Sequence, residues 1–509
     1  MSVINNRKEL QVLQNTGPLV KRGNLVESNS KLDCEYNTLQ QAMEHFNVSV
    51  EDVEKVMKVA LEKGADYADL FFEHSFKNNI SLQDGEVNRC NSNIEYGVGV
   101  RVISKDQTGY AYVENINLKE MLNAAKTAAR IAQESKIIAP ISLDLPAMKT
   151  DFYAVDTPWE SILLKDKIPY LQTLNKLIFD QDHRVIKVMA SLSDTTSHIL
   201  FFNSEGVSYY DYRPMVALAA VCVMQDGSRI ENGYASRSYR RGFEFLTDEL
   251  VSLLAHEVIT NTSISFQAIK PKGGEMPVVM AAGGSGILLH EAIGHAFEAD
   301  FNRKNTSIFS DQLHKQICNE EISVIDDGTI PYNRGSVNID DEGVDGQKTY
   351  LVREGVLTSY LHDRISSKHY GIEPTGNGRR ESFRCIPIPR MRATYMESGG
   401  YEEKEIISSV KRGVYVNQFT NGQVQIGAGD FTFFVKLGYL IENGQLTLPI
   451  KDINIIGNGP KALSDIEMVG NNAQIDNGTW TCGKDGQSCP VTCGMPSVLV
   501  RKLTVGGDS

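Results

Sequence analysis

Cysteine is scarce in this chain, eight among 509 residues, and there are only two tryptophans. So few thiols, five of them scattered, do not make a disulfide scaffold, and reduced cysteines are the expectation. No apolar run approaches the roughly 20 residues that cross a bilayer. The opening stretch MSVINNRKELQVLQNTGPLV lacks the apolar centre of a secretory leader, so the expected location is the cytoplasm. Positive charge is also short: 51 Lys and Arg face 64 Asp and Glu, a net charge of −13. A generalised nucleic-acid surface needs the opposite balance. Neither nucleic acid nor membrane is therefore an expected partner.

What is present is ordinary for a globular protein, 41% hydrophobic and 23% charged, with length for about two to four domains. Residues 1–45 are polar and read as a flexible extension. Residues 46–268 read as an α+β domain. Ser49-Val50-Glu51-Asp52 has the form of a capping box, opening a helix with apolar residues at Val53, Val56, Met57, Ala60 and Leu61. GVGVRVIS pairs with GYAYV across KDQT, and strand-like runs fill Val185–Met224. IKPKGGEM (269–276) is the linker. Residues 269–509 carry Gly-rich turns between β-favouring runs, which predicts a mainly antiparallel, barrel-like domain with few helices, the clearest containing HEAIGH.

HEAIGH, His290 to His295, is one residue too long for the H-E-x-x-H pattern that sets two histidines on one helical face. On a regular helix five residues turn about 500°, leaving the rings about 140° apart. A π turn brings positions five apart back to within about 50°, and Gly294 lowers its steric cost. The spacing thus predicts one wide turn that gathers His290 and His295, with Glu291 beside them. The bland alternative is a pair of hydrogen-bonded core histidines.

A catalytic zinc site usually takes three protein ligands. Glu298 and Asp300 follow on the motif helix, and Cys482 sits on a distant Gly-rich turn beside Lys484; residue types leave the choice open. Cys489 and Cys493 lie past Gly483, Gly486 and Pro490 and are expected to point elsewhere as packing residues. The acidic turns at Asp326-Asp327-Gly328 and Asp340-Asp341-Glu342-Gly343 lack the calcium-loop register. Arg379 and Arg380, in a Gly-rich turn suited to an anion, are candidate substrate contacts together with Gly427, Gly429 and Asp430.

Six stretches stand in order across about 285–487: GILLHEAIGHAFEADFNRK, DDGTIPYNRGS, DDEG, TGNGRRES, PRMRATYM and CGKDGQ. With the weaker GVGVRV and GYAYV they make the chain resemble the TldD/PmbA family over most of residues 50–505. The resemblance implies that His290 and His295 bind zinc, one ion per chain, that Cys482 is the third ligand, and that Glu291 is the catalytic base. PmbA/TldE-type subunits lack the metal motif, so this chain resembles the catalytic TldD type. A PmbA/TldE-type paralogue, or a second copy in a homodimer, is the implied partner, and extended peptides are the implied substrates. Where relatives often read Glu-Gly-Asp, this chain has Glu298-Ala299-Asp300, and the family does not account for the N-terminal extension.

The expected reaction is zinc-dependent peptide hydrolysis, with Glu291 taking the proton of the attacking water and passing it to the leaving amine. The rivals are a non-catalytic peptide-binding subunit with a structural zinc and a zinc hydrolase of a non-peptide amide.

Overall fold

Ser49 caps its helix as the spacing asks. Its Oγ accepts from Asp52 N at 3.1 Å, the Asp52 carboxylate reaches back, and helix Val50–Leu61 buries Val53, Val56, Met57, Ala60 and Leu61. In this computed structural model residues 39–132, 151–425 and 427–507 are described. Most of the expected extension, residues 1–38, lies outside them. Its last part does not behave as an extension, because Leu39–His45 is helical and buries Ala42 and Met43 in the same core as helix Val50–Leu61. Two apolar side chains in one polar segment were too weak a signal to read.

The first sheet has six antiparallel strands in the order β3-β2-β1-β4-β5-β6. They are β1 (Tyr67–Gln83), β2 (Glu86–Ser104), β3 (Gln107–Val113), β4 (Val185–Asn203), β5 (Ser208–Asp226) and β6 (Arg229–Tyr239). The β1–β2 turn is Asp84-Gly85, both at positive φ (53° and 88°), the conformation a two-residue hairpin needs. Expected pairing across KDQT is present with a tighter loop, since Ser104 pairs with Gln107. Helices Val50–Leu61 and Leu118–Ala128 pack over one part of the sheet. Leu164–Gln181 and Asp248–Ser265 pack over another. Helix Leu164–Gln181 has no counterpart in the sequence reading: Pro169 interrupts it and no side chain caps it, while Leu171, Leu174 and Ile178 bury its core face.

The rest of the chain builds two further six-stranded sheets. One runs in the order Gln445–Asn458, Asp430–Glu442, Arg412–Gln425, Gly274–Met280, Val498–Val505, Ile466–Val469. Ile455 and Ile456 pair additionally with Val505 and Thr504, so five of these strands are linked in a ring of pairings. The other sheet centres on Val324–Asp327, Ala393–Met396 and Thr492–Met495. Pairing is mostly antiparallel, with parallel contacts between Arg412–Gln425 and Gly274–Met280 and between Ala393–Met396 and Thr492–Met495. Short helices at Ala299–Arg303, Arg364–Tyr370, Glu403–Ser409 and Gly459–Ser464 supplement the motif helix. No helix among the described residues is long and apolar enough to cross a membrane.

The acidic turns are internal. Asp326 accepts from Arg392 N, Thr394 Oγ1 and Asn377 Nδ2, and Asp341 pairs with Arg213 at 2.5 Å. Glu342 pairs at 2.5 Å with Arg101 of β2, which also holds Asp69 of β1; all three side chains are fully buried. This triad pins the first sheet to the later part of the chain. Removing Arg101 leaves Glu342 without this partner and Asp69 with only Arg380, 3.6 Å away, in low dielectric, so Arg101→Ala is expected to cost about 3–5 kcal/mol. Urea unfolding of the full chain measures it; an unchanged midpoint would show the triad to be energetically idle.

Candidate metal centre

Strand Gly274–Met280 ends in the turn at Gly283, whose N–H donates to Met495 O at 2.9 Å. The chain then tightens through Gly284–Gly286 and opens a helix at Ile287–Leu289. From His290 to Gly294 the helix is a π turn, with the His295 N–H donating to His290 O five residues back. The extra residue of HEAIGH is thereby absorbed, and the two imidazoles lie 5.1 Å apart between centroids. Gly294 lets the wide turn sit against its support: a Cβ there would stand 2.2 Å from Met391 Sδ. Its room serves packing rather than open space beside an ion.

Cys482 comes from the hairpin of Thr481–Lys484 and Gln487–Pro490. Its Sγ lies 3.3 Å from His295 Nε2. Donor atoms of His290, His295 and Cys482 all fall within 4.8 Å of one another, and all three residues are buried. Burial by itself would push the Cys482 thiol up, but the His290 and His295 rings outweigh it and bring it down to about 4. A thiolate is the form that ligates metal. His290 Nδ1 is buried without a hydrogen-bond partner.

Glu298 and Asp300, the open alternatives for a third ligand, take another role. Glu298 Oε2 lies 2.9 Å from His295 Nδ1, the carboxylate–histidine arrangement that fixes a ligand's ring and tautomer. Lys484 Nζ contacts Glu298 at 3.1 Å and Asp300 at 2.7 Å, so its charge is paired with these two carboxylates. Burial would raise the Glu298 carboxyl, yet Lys484 and His295 hold it down to about 2. The CGKDGQ turn therefore supplies both the sulfur and the cation that steadies the histidine's carboxylate. Glu298 stands three residues after His295 and Lys484 two after Cys482, which is the signal that the sequence offered.

Cys489 is a correction. Gly486 (φ 74°) and Asp485 (φ 51°) fold the chain straight back instead of leading it away, and Cys489 pairs directly opposite Cys482. Cys493 borders the same cleft as Glu291. Buried Arg390 reaches both members of the hairpin pair, donating to Cys482 O at 2.5 Å and Cys489 Sγ at 3.5 Å.

The cleft, about 210 Å³, is lined by His290, Glu291, Thr420, Gly422, Trp480 and Cys493 among others. Glu291 is partly exposed there. A larger surface cavity, about 610 Å³, lies between Arg412 and Arg501 and holds none of these residues. The candidate substrate contacts fall outside the cleft lining. Arg379 is buried and donates to Met391 O and Pro490 O; Arg380 is buried against Asp341 and Tyr110. Both guanidinium groups are spent on internal braces, which a composition-based reading of a polar turn could not anticipate. Gly427, Gly429 and Asp430 form the hairpin end beyond strand Arg412–Gln425, where Asp430 accepts from Asn458 Nδ2 at 3.0 Å. Thr420 and Gly422, earlier on that strand, face the cleft instead.

Two imidazoles, a thiol and a carboxylate converging beside a cleft define a class, the metal-dependent hydrolases. Comparison with known proteins narrows it. The PmbA/TldA metallopeptidase C-terminal domain matches residues 273–507, the central domain of that family residues 157–269, and its domain 1 residues 68–132. The chain therefore belongs to the TldD/PmbA family of metallopeptidases. The Metalloprotease TldD homolog of Haemophilus influenzae is 37% identical over 472 residues, 91% of this chain and 97% of that protein. The Zinc metalloprotease TldD homolog of Saccharolobus solfataricus is 27% identical, covering 89% of this chain and 99% of that one. TldE from Thermococcus kodakarensis shares the fold, with a TM-score of 0.69 at 18% identity over 90% of this chain and 100% of that one.

If Glu298 orients His295, Glu298→Gln weakens metal binding by about 10–100-fold while the chain stays folded. Competition against a chromophoric chelator reads it; undiminished affinity would reduce Glu298 to packing.

Proposed function

We propose that this chain hydrolyses peptide bonds in unfolded or short extended peptides, using one zinc ion held by His290, His295 and Cys482. The carrying observation is the convergence of those three donor sets within 4.8 Å beside a cleft that Glu291 borders. The residues fit the ion: two imidazoles and one thiolate are a donor set that suits zinc, and the orphaned His290 Nδ1 belongs to a ring with spare binding capacity. The relative in Saccharolobus solfataricus carries zinc in its name. When bound, zinc supplies a Lewis acid, able to polarise a carbonyl and to make water nucleophilic near neutral pH.

The remaining work falls to side chains of this chain. Glu291 follows a ligand residue directly and is partly exposed to the cleft, so its carboxylate takes the proton of the attacking water and returns it to the leaving amine. Glu298, itself held by Lys484, keeps His295 Nδ1 engaged and leaves Nε2 toward Cys482. Substrate backbone finds its partner on strand Arg412–Gln425. That strand pairs with Gly274–Met280 only through Val414, Tyr415 and Val416. From Gln418 onward its register partners among the described residues lie on Asp430–Glu442 alone. An extended peptide added at the free edge meets main-chain groups rather than side-chain pockets, which favours tolerance of sequence. The open cleft favours this reading over a peptide-binding subunit with a structural zinc.

Four variants test the roles. Glu291→Gln retains zinc while peptide turnover falls by at least about 100-fold, whereas Cys482→Ala loses zinc on dialysis and Cys489→Ala and Cys493→Ala keep it. Zinc content and hydrolysis of an unfolded peptide are the measurements, and near-normal turnover by Glu291→Gln rejects its role.

The active assembly we propose is a pair with a PmbA/TldE-type paralogue, or a homodimer where none is encoded. The shared fold with TldE supports it. Light scattering on size-exclusion fractions gives a dimer mass at the activity peak; full activity in a monomer fraction overturns it.

A further inference from the structure

The hairpin that carries Cys482 also carries Cys489 directly opposite it. The register runs Lys484 with Gln487, Gly483 with Ser488, and Cys482 with Cys489. Residues directly opposite on antiparallel strands send their side chains to the same face. With a two-residue turn, the pairs alternate from a hydrogen-bonded Lys484–Gln487, so Cys482–Cys489 is again hydrogen-bonded; Pro490, without an N–H, falls in the non-bonded pair with Thr481. Such a pair has Cα atoms about 5.5 Å apart, inside the roughly 4.4–6.8 Å range of disulfides. Both thiols are buried, and Thr481, the neighbour of Cys482, lines the cleft beside His290 and Glu291. His290, which lines the cleft, has a donor nitrogen within 4.8 Å of Cys482 Sγ, so a water-sized molecule there comes near Cys482 first. The Arg390 guanidinium sits against it, 3.5 Å from Cys489 Sγ. Cys493 lacks this placement, its pairing partners being Thr394 and Asp476.

We propose that Cys482 and Cys489 form an oxidation site that hydrogen peroxide closes into an intrachain disulfide, releasing the metal, and that thiols reopen. The release, though not the bridge, rests on Cys482 being a metal ligand. Cys482 Sγ attacks one peroxide oxygen; an S–O bond forms, the O–O bond breaks, and the departing hydroxide leaves as water after taking a proton from solvent. Cys489 Sγ then attacks the sulfenic sulfur. An S–S bond forms, the S–O bond breaks, and the second hydroxide leaves with the Cys489 proton. Two electrons pass from sulfur to one peroxide, which becomes two waters. Cys482 in a disulfide no longer offers a thiolate, the species that binds metal, and two imidazoles remain.

The test uses the full chain, purified with zinc and counted for metal before treatment with hydrogen peroxide. Wild type is expected to lose its zinc to a chromophoric chelator together with two thiols. Non-reducing tryptic digestion should yield the peptide ending at Lys484 joined through Cys489 to the one beginning at Asp485. Dithiothreitol and added zinc should restore the metal. Cys489→Ala, with a wild-type circular dichroism spectrum, should form no intrachain bridge under the same treatment. In wild type, zinc loss without the bridge or a bridge to Cys493 overturns the proposal. A chain that purifies and stays metal-free yet forms the bridge refutes the ligand assignment and the release; bound zinc with no bridge refutes the oxidation site alone.

Discussion

One wide helical turn, His290 to Gly294, is the constraint that the site depends on. It places two imidazoles together that a regular helix would set far apart, and it holds only because its surroundings are built for it. The preceding turn closes on Met495, the following backbone leaves helical geometry at Glu298 (ψ 123°), and Gly294 abuts Met391. Those neighbours come from strands late in the chain. The turn is thus a local irregularity stabilised by non-local packing, the circumstance in which strained backbone persists.

A second dependence joins the motif helix to the hairpin at Thr481–Pro490. Lys484 holds Glu298 and Asp300, Glu298 holds His295 Nδ1, and Cys482 meets the other nitrogen of the same imidazole. Arg390 anchors the hairpin from beneath through Cys482 O. Charges buried this deeply are costly unless paired. Each is paired here, and the pairing fixes the His295 ring.

The first sheet is more than a separate module. Its edge strand β6 approaches the cleft region: Ser238 N donates to Asn477 O at 2.8 Å, and Tyr234 OH lies 2.8 Å from Thr479 Oγ1. Gln418, on the free edge of Arg412–Gln425, reaches Tyr234 O. The Arg101 triad ties the same sheet to Glu342. An early part of the chain therefore borders the place where an extended peptide is proposed to lie.

The capping box, the hairpins around Asp84-Gly85 and KDQT, the β-rich later half and the HEAIGH turn were all legible in the sequence, because each is set by residues close in the chain. Periodicity and turn chemistry are local, and a five-residue histidine spacing admits few geometries. Ordered motifs also carried the family. What the sequence left undecided depended on contacts between distant segments. Glu298 and Cys482 were rivals until folding set one on each nitrogen of His295. Arg379 and Arg380 looked free until their guanidinium groups found carbonyls of Met391, Pro490 and Asp341. Helix Leu164–Gln181 was hidden by Pro169 until a sheet face claimed its apolar side. Cys489 seemed remote from Cys482 because its position depends on two positive-φ residues at a turn. Sequence determined which elements form; tertiary structure decided which side chains meet, since burial pairs groups that no local rule connects.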